Sequence, residues 1–147
     1  MQIRYLTSSD TSAAKLVADA NRDALGFLPK KKLEEAAEQK RCFVAVDDKA
    51  IVGFVIFRHR KIDNQTTLSD ICVDVNCRRH GIGTSLVERL IADCEERKRA
   101  FILLKCPEDL DANLFYERLG FKPQNVEPGK SRRLKIWLMP ITEKVEN

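Results

Sequence analysis

Several features that would assign this chain to a common class are scarce or missing. No apolar run reaches the length of about 18 residues that a membrane-spanning helix needs. With only two histidines, His59 and His80, a His-rich zinc site is disfavoured. The cysteines are odd in number and lack metal-ligand spacing, so we interpret them as small core residues, with a redox or nucleophilic role as the alternative. They are Cys42, Cys72, Cys77, Cys94 and Cys106.

The length and composition of the sequence favour one ordinary globular domain. Residues 1–6 read as a strand, not as a basic region followed by the apolar core of a signal peptide. We therefore expect a soluble, cytoplasmic protein with no membrane partner. The 147 residues, 44% of them hydrophobic, are enough for a single domain that spans residues 1–147.

The charge is mildly basic, with 26 Lys and Arg against 22 Asp and Glu and a net charge of +4. Basic clusters at 30–32, 58–61 and 130–135 raise the hypothesis of a nucleic-acid-binding domain. They are scattered and lack interleaved aromatic residues, however, so that no nucleic-acid partner is expected. An acidic small molecule or acidic peptide is the more economical partner, and a polycationic one is mildly disfavoured.

The order of elements predicts a mixed α/β fold. Apolar alternation and helical periodicity indicate strands at 2–6, 42–47, 50–59, 66–75, 100–106, 121–124 and 133–139, and helices at 10–25, 30–39, 82–97 and 109–119. Asp109 is predicted to cap the last helix, and a loop at 124–132 joins the last two strands.

The most informative segment is 73–84, in which an apolar strand enters a glycine-bearing turn and then a helix. At a helix start the first N–H groups lack carbonyl partners and the helix dipole is positive, so a phosphate can be bound by the backbone. Gly81 and Gly83 have no Cβ to hold such a group away. The dinucleotide fingerprint is excluded because a third glycine is missing, and the Walker loop because no Lys-Ser or Lys-Thr follows.

What remains, Arg78-x-x-Gly81-x-Gly83, resembles the acyl-CoA diphosphate loop of the GCN5-related N-acetyltransferase (GNAT) family. The segment 109–121, with Phe-Tyr followed three residues later by Gly-Phe, resembles the family's second characteristic segment at the proper distance. Two departures occur: Val75 replaces a frequent proline, and Arg79 replaces a frequent glycine.

The resemblance implies a single-domain GNAT fold, with a mixed sheet of six to seven strands flanked by about four helices. It implies transfer of an acetyl group from acetyl-CoA, without a metal, to a primary amine of a small molecule, protein or peptide. A monomer or homodimer is expected. A catalytically inactive CoA-binding or regulatory module is the alternative, and a basic nucleic-acid-binding domain is a less favoured one.

Cofactor contacts carry over from the resemblance only between Asp70 and Phe121, where its specific motifs lie. Backbone groups of Ile71, Cys72 and Val73 would bind the pantetheine arm. The diphosphate would be held by the amides of the loop and the charge of its arginines, that is by Arg78, Arg79, His80, Gly81, Ile82, Gly83 and Thr84.

Two residues are candidates for proton transfer. By resemblance, Tyr116 is the general acid that protonates the departing thiolate, with a packing tyrosine as the alternative, and Asn113 hydrogen-bonds the cofactor. Asp70 resembles an acidic position of the polyamine-acetylating branch, which makes it the candidate base. Competing carboxylates are Asp74, Glu108 and Glu117, each of which fits a cap or a surface charge.

Overall fold

The computed structural model describes residues 1–142, which form seven strands and five α-helices. The strands are β1 (Gln2–Tyr5), β2 (Cys42–Asp47), β3 (Ala50–His59), β4 (Gln65–Val73), β5 (Phe101–Pro107), β6 (Lys122–Pro128) and β7 (Arg133–Pro140). The helices are α1 (Thr11–Asp19), α2 (Arg22–Leu25), α3 (Lys30–Glu38), α4 (Ile82–Glu96) and α5 (Ala112–Leu119).

The strands make one mixed sheet in the order β1-β2-β3-β4-β5-β7-β6. β1, β2 and β3 pair antiparallel, as do β5, β7 and β6, whereas β4 pairs with β5 in parallel over Gln65–Thr67. This arrangement confirms the predicted α/β class and mixed sheet. The described residues fall into two units, and β4 contributes to both.

The first unit comprises Met1–Phe57 and Asp70–Ala92. Its strands β2 and β3 are apolar on both faces, as expected for strands that are covered on both sides. Buried side chains of α1, α3, these two strands, β4 and the residue after β1 form one core cluster, which includes Leu6, Ala14, Val17, Leu33, Val44, Phe54 and Cys72.

The second unit comprises Arg58–Ser69 and, among the residues described, those from Asp93 to Thr142. Here α5 belongs with the antiparallel strands β5, β7 and β6. Among the residues described, its largest fully buried side chains are Ile102, Leu104, Phe121 and Trp137.

The predicted helix 10–25 is wrong in one respect, because it breaks into α1 and α2 at Asn21. The side chain of Asn21 is buried, and its Nδ2 donates to the Val17 carbonyl oxygen at 2.8 Å. An asparagine side chain thus takes the place of a backbone donor at the end of α1 and competes with the helix. This accounts for a fifth helix where about four were expected.

The region after β5 corrects two boundaries. α5 begins at Ala112, not at residue 109, and the Asp109 carboxylate is engaged by Arg132 at 2.8 Å, so Asp109 does not cap the helix. The strand predicted at 121–124 continues to Pro128 as β6, which shortens the predicted loop to the turn closed by Gly129 N–H and the Arg132 carbonyl at 3.0 Å.

Among residues 1–142, no helix is long and apolar enough to cross a membrane. All five cysteines lie in this part of the chain and are free thiols, four of them buried.

Candidate functional site

The connection between β4 and α4 begins with a tight turn that the side chain of Asp74 stabilises. One oxygen of the carboxylate accepts from the N–H of Asn76 at 2.9 Å, and the Asp74 carbonyl accepts from Cys77 N–H at 2.9 Å. A carboxylate that bonds the backbone two residues ahead forms an Asx turn, which fixes the start of the loop. The structure thus gives Asp74 the role of a cap.

The second half of this connection has a left-handed backbone at two positions. Arg79 has φ +69° and Gly81 has φ +75°. Glycine adopts this conformation freely, whereas an arginine there is strained. An ideal Cβ at Gly81 would meet no protein atom within 4 Å, so the backbone angle, not crowding by the protein, is what favours glycine at this position.

The start of α4 presents backbone donors. The first N–H to join the helical ladder is that of Ser85, which donates to the Gly81 carbonyl at 3.0 Å. The N–H groups of Ile82, Gly83 and Thr84 precede the ladder and therefore have no carbonyl partner within the helix. With the positive end of the helix dipole beside them, these groups fit a diphosphate.

Arg78 has a protein partner that sequence reasoning missed. Its guanidinium donates to Oδ1 of Asn21, the same buried residue that breaks α1 from α2. The side chain of Asn21 therefore links the loop to the helical layer of the first unit. Arg78 anchors the loop at this point, and its predicted contact with the cofactor stays a prediction.

The end of β4 shows which backbone groups face which edge. Asp74 N–H donates to the Val52 carbonyl of β3 at 2.8 Å. Because backbone groups alternate along a strand, those of Cys72 also face β3, whereas those of Ile71 and Val73 face the opposite edge. Of the three residues predicted to bind pantetheine, Ile71 and Val73 therefore have the available edge.

Gly53 on β3 allows β4 and α4 to approach closely. A Cβ at Gly53 would lie 2.9 Å from the Cys72 carbonyl oxygen and 3.3 Å from side-chain atoms of Ile82 and Leu86. A lone glycine inside an apolar strand is a sign of such an approach, so the sequence carried a signal for this position.

Asp70 forms an ion pair that sequence reasoning also missed. Its Oδ2 accepts from Lys32 Nζ of α3 at 2.6 Å, and its side chain is only 13% exposed. The candidate base therefore already binds an ammonium group.

In the second unit, Asn113 closes the connection between β5 and α5. Its Nδ2 donates to the carbonyls of Pro107 and Leu110 at 2.9 and 2.8 Å, and its Oδ1 accepts from Trp137 Nε1 at 2.9 Å. The amide thus has protein partners on both ends. Its predicted hydrogen bond to the cofactor stays a prediction.

Tyr116 is buried, with 6% of its surface exposed. Its ring packs edge-on against Phe121 and Phe115, with centroids 5.8 and 5.4 Å apart. The stripe of α5 that contains Asn113 and Tyr116 is therefore an inner face, whereas Leu114, Glu117 and Arg118 are exposed. The ring is packed in the protein, and the role of Tyr116 as a general acid stays a prediction.

The four buried cysteines do not present reactive thiolates. Burial raises the pKa of Cys72 to about 12 and the pKa of Cys94 and Cys106 to about 11, and it also raises the pKa of Cys42. The thiolate is the nucleophilic form, so these four side chains act as small core residues. Within residues 1–142, no group of three or more His, Cys, Asp or Glu is placed to hold a metal ion.

The candidate residues thus form two groups. Asp70 and the cofactor residues up to Thr84 lie on one continuous segment of the first unit, whereas Asn113 and Tyr116 lie on α5 of the second. The positions that sequence reasoning missed are Asn21, Lys32, Gly53 and Trp137.

The sheet order and the β4–α4 connection agree with the GNAT fold that the sequence resemblance predicted. The sequence model of the acetyltransferase (GNAT) domain matches residues 38–123, more than half of the chain. The protein belongs to the GCN5-related N-acetyltransferase family.

Similar proteins agree with this assignment. Human N-alpha-acetyltransferase 30 is 30% identical over 111 residues, which cover 66% of this chain and 30% of the human protein. The chain therefore spans less than a third of the length of this curated relative.

Three solved structures share the fold. The ribosomal-protein-S18-alanine N-acetyltransferase of Escherichia coli is 27% identical, with a TM-score of 0.79 over 99% of this chain and 97% of the other. Ard1 from Thermoplasma volcanium is 19% identical, with a TM-score of 0.87 over 97% and 98%. An aminoglycoside 6'-N-acetyltransferase solved with coenzyme A is 19% identical, with a TM-score of 0.83 over 99% and 100%.

Proposed function

We propose that this protein is an N-acetyltransferase that moves the acetyl group of acetyl-CoA to a primary amine. The observation that carries the proposal is the β4–α4 connection, in which a left-handed Gly81 leads into a helix start with open N–H groups. Backbone donors at a helix N-terminus bind phosphates without a charged side chain. The loop backbone from Arg79 to Thr84 would hold the diphosphate, while Ile71 and Val73 would bind the pantetheine arm.

The amine must be deprotonated before it can attack, since an ammonium ion has no lone pair. Asp70 is the proposed proton acceptor, directly or through water, because it is a largely shielded carboxylate that already binds an ammonium group. Attack of the amine nitrogen forms the C–N bond and breaks the C–S bond. Tyr116 is the proposed donor of the proton that the leaving thiolate takes up.

The acceptor we favour is the α-amino group of a protein or peptide. The names of the human relative and of the E. coli structure specify N-alpha-acetylation and acetylation at an alanine of a ribosomal protein. The aminoglycoside enzyme, at 19% identity, shows the fold alone and adds no argument for a small molecule.

The first test is a calorimetric titration with acetyl-CoA, with pantetheine as the control that lacks the diphosphate. We expect micromolar binding of acetyl-CoA, which corresponds to about −8 kcal/mol, and much weaker binding of pantetheine. Equal affinities would mean that the loop does not hold the diphosphate. Absence of binding near millimolar acetyl-CoA would contradict the proposal.

Turnover then identifies the acceptor. Release of CoA is measured with three amines. The first is a tetrapeptide that begins with alanine, the second is a tetrapeptide with a blocked α-amine and one lysine, and the third is a small primary amine such as propylamine. We expect turnover with the free α-amine. Tight acetyl-CoA binding without turnover of any amine would favour the alternative, a CoA-binding regulatory module.

A further inference from the structure

The pair formed by Lys32 and Asp70 joins residues that are 38 positions apart, on α3 and β4 of the first unit. The separation of Nζ and Oδ2 is 2.6 Å, which is a short, charge-assisted contact. The Asp70 side chain is 13% exposed and that of Lys32 is 43% exposed. The carboxylate is thus largely shielded, whereas its partner is the solvated member of the pair.

We propose that Lys32 occupies the position beside Asp70 that the acceptor amine must take, and that the acceptor's ammonium group displaces Lys32 from Asp70 before transfer. This inference rests on the proposed function and on Asp70 as its base. The two cations carry the same functional group, so that one can replace the other at the carboxylate. Lys32 thereby acts as a built-in competitor that lowers the apparent affinity for the acceptor.

The size of the effect follows from the exposure of Lys32. Ion pairs with an exposed partner are worth little, because water and salt screen the charge. Displacing Lys32 therefore costs the acceptor little, and we expect its removal to lower the KM for the acceptor by about two- to fivefold. Since Lys32 has left Asp70 before transfer, kcat should stay within about twofold of wild type.

The chain supplies a matched control beside the test position. Lys30, Lys31 and Lys32 are consecutive exposed residues of α3, and neither Lys30 nor Lys31 forms an ion pair within residues 1–142. Lys31→Met removes the same positive charge as Lys32→Met from the same helical turn. Any general increase in the attraction of a cationic acceptor is therefore common to both variants.

The kinetic experiment compares wild type, Lys32→Met and Lys31→Met with the alanine-initiated tetrapeptide at saturating acetyl-CoA. The result expected is a lower KM in Lys32→Met alone, with kcat preserved in both variants. A KM in Lys32→Met that equals that of Lys31→Met, or that rises above wild type, would overturn the inference. Acetyl-CoA affinity, measured by calorimetry, should be the same in all three proteins.

A second experiment tests the ion pair between Lys32 and Asp70 without measuring turnover. A lysine held by a carboxylate reacts slowly with an acylating reagent, so Asp70→Asn should raise the labelling rate of Lys32 by N-hydroxysuccinimidyl acetate, quantified by peptide mass spectrometry. Lys30 and Lys31 in the same digest are the internal controls and should not change. An unchanged labelling rate at Lys32 in Asp70→Asn would overturn the inference, even if the wild-type protein turns over the peptide as the proposed function requires. Absence of turnover with every amine would instead overturn the proposed function itself.

Discussion

The chain passes from a strand into a helix in both units, through residues 74–81 after β4 and through residues 108–111 after β5, and the two connections are built in opposite ways. After β4, two residues adopt left-handed angles and the N–H groups at the start of α4 are left open. After β5, the Asn113 amide satisfies the carbonyls of Pro107 and Leu110 and itself receives the Trp137 indole N–H. The first connection is suited to an external anion, whereas the second is closed by its own side chain.

The comparison teaches that a shared strand–loop–helix path does not define a binding loop. What differs is whether polar groups are left for a ligand or paired within the protein, as most buried polar groups are. We therefore expect the β4–α4 connection to control cofactor affinity, and α5 to control stability and, through Tyr116, turnover.

The largest effect is expected at Tyr116. Tyr116→Phe removes the phenol and keeps the buried ring, so turnover should fall about tenfold to a thousandfold through loss of an acid step, while acetyl-CoA affinity stays near wild type. The control is Tyr5→Phe, which changes the only other tyrosine and should leave turnover intact. Unchanged turnover in Tyr116→Phe would leave Tyr116 as a packing residue and remove α5 from the chemistry.

Asn113→Ala tests whether the second connection is closed for stability or also binds the cofactor. Loss of the amide leaves two partly buried carbonyls and the Trp137 indole N–H without their partner, which should lower the free energy of unfolding by about 2–3 kcal/mol. Urea denaturation measures this loss. A decrease in acetyl-CoA affinity as large as that caused by the loop variant described next would break the comparison, since both connections would then bind the cofactor.

A pair of glycine variants isolates the role of the first connection. Gly81 and Gly26 have φ +75° and +76°, and a Cβ at either would meet no atom within 4 Å. Gly26 also has ψ −169°, in a region that is essentially confined to glycine, so Gly26→Ala should carry at least as much backbone strain as Gly81→Ala, about 1–3 kcal/mol, and it controls for loss of stability. Acetyl-CoA affinity should fall about tenfold in Gly81→Ala only, which calorimetry measures; equal affinities in the two variants would place the diphosphate elsewhere.

Local patterns in the sequence predicted most of the fold and the first connection. The strand and helix order followed from periodicity, and the loop followed from the spacing of Arg78, Gly81 and Gly83 beside a helix start. These features depend on residues that are close in sequence. The boundary errors, at the break of α1 and the start of α5, arose where a single asparagine bonds backbone carbonyls in place of the helix.

Long-range pairs could not be predicted in the same way. Lys32 and Asp70 are 38 residues apart, and Asn113 and Trp137 are 24 apart. Nothing in their local spacing indicates a contact, because each pair joins a residue of a helix to a residue of a distant strand, α3 to β4 and α5 to β7. Gly53 differs, since an isolated glycine in an apolar strand was visible in the sequence and its meaning follows from strand geometry.

A smaller effect is expected at Arg79, where the family resemblance led us to note a missing glycine. An arginine in the left-handed conformation costs about 1–2 kcal/mol of strain, which Arg79→Gly removes. The greater freedom of glycine in the unfolded chain offsets about 0.5–1 kcal/mol of this gain, so Arg79→Gly should stabilise the protein by about 0.5–1 kcal/mol. Lys40→Gly, at φ +55° outside the loop, should stabilise similarly. Weaker acetyl-CoA binding in Arg79→Gly alone would show that its charge also contacts the cofactor.

The two histidines offer the finest test, because one lies in each region. In the second unit, His59 is hydrogen-bonded to Thr66 Oγ1 at 2.7 Å and to Asp93 Oδ2 at 2.8 Å. Arg99 donates to the same Thr66 oxygen, and Arg97 donates to the same Asp93 oxygen. Burial is the main cause that lowers the pKa of His59 below its ordinary 6.5, and the two arginines add to this, although Asp93 opposes them. His80 lies exposed in the β4–α4 connection.

A lowered pKa in the folded state means that the unfolded chain binds the proton more readily. The contribution of neutral His59 to stability is therefore complete above pH 6.5 and is lost as the pH falls below that value. Thermal unfolding between pH 7.5 and 5.5 should show a decline that His59→Asn reduces and His80→Asn does not. An equal decline in wild type and both variants would assign the acid sensitivity to other groups. A smaller decline in His80→Asn alone would assign the acid sensitivity to the β4–α4 connection, which would contradict the expectation that it arises at the paired, partly buried histidine.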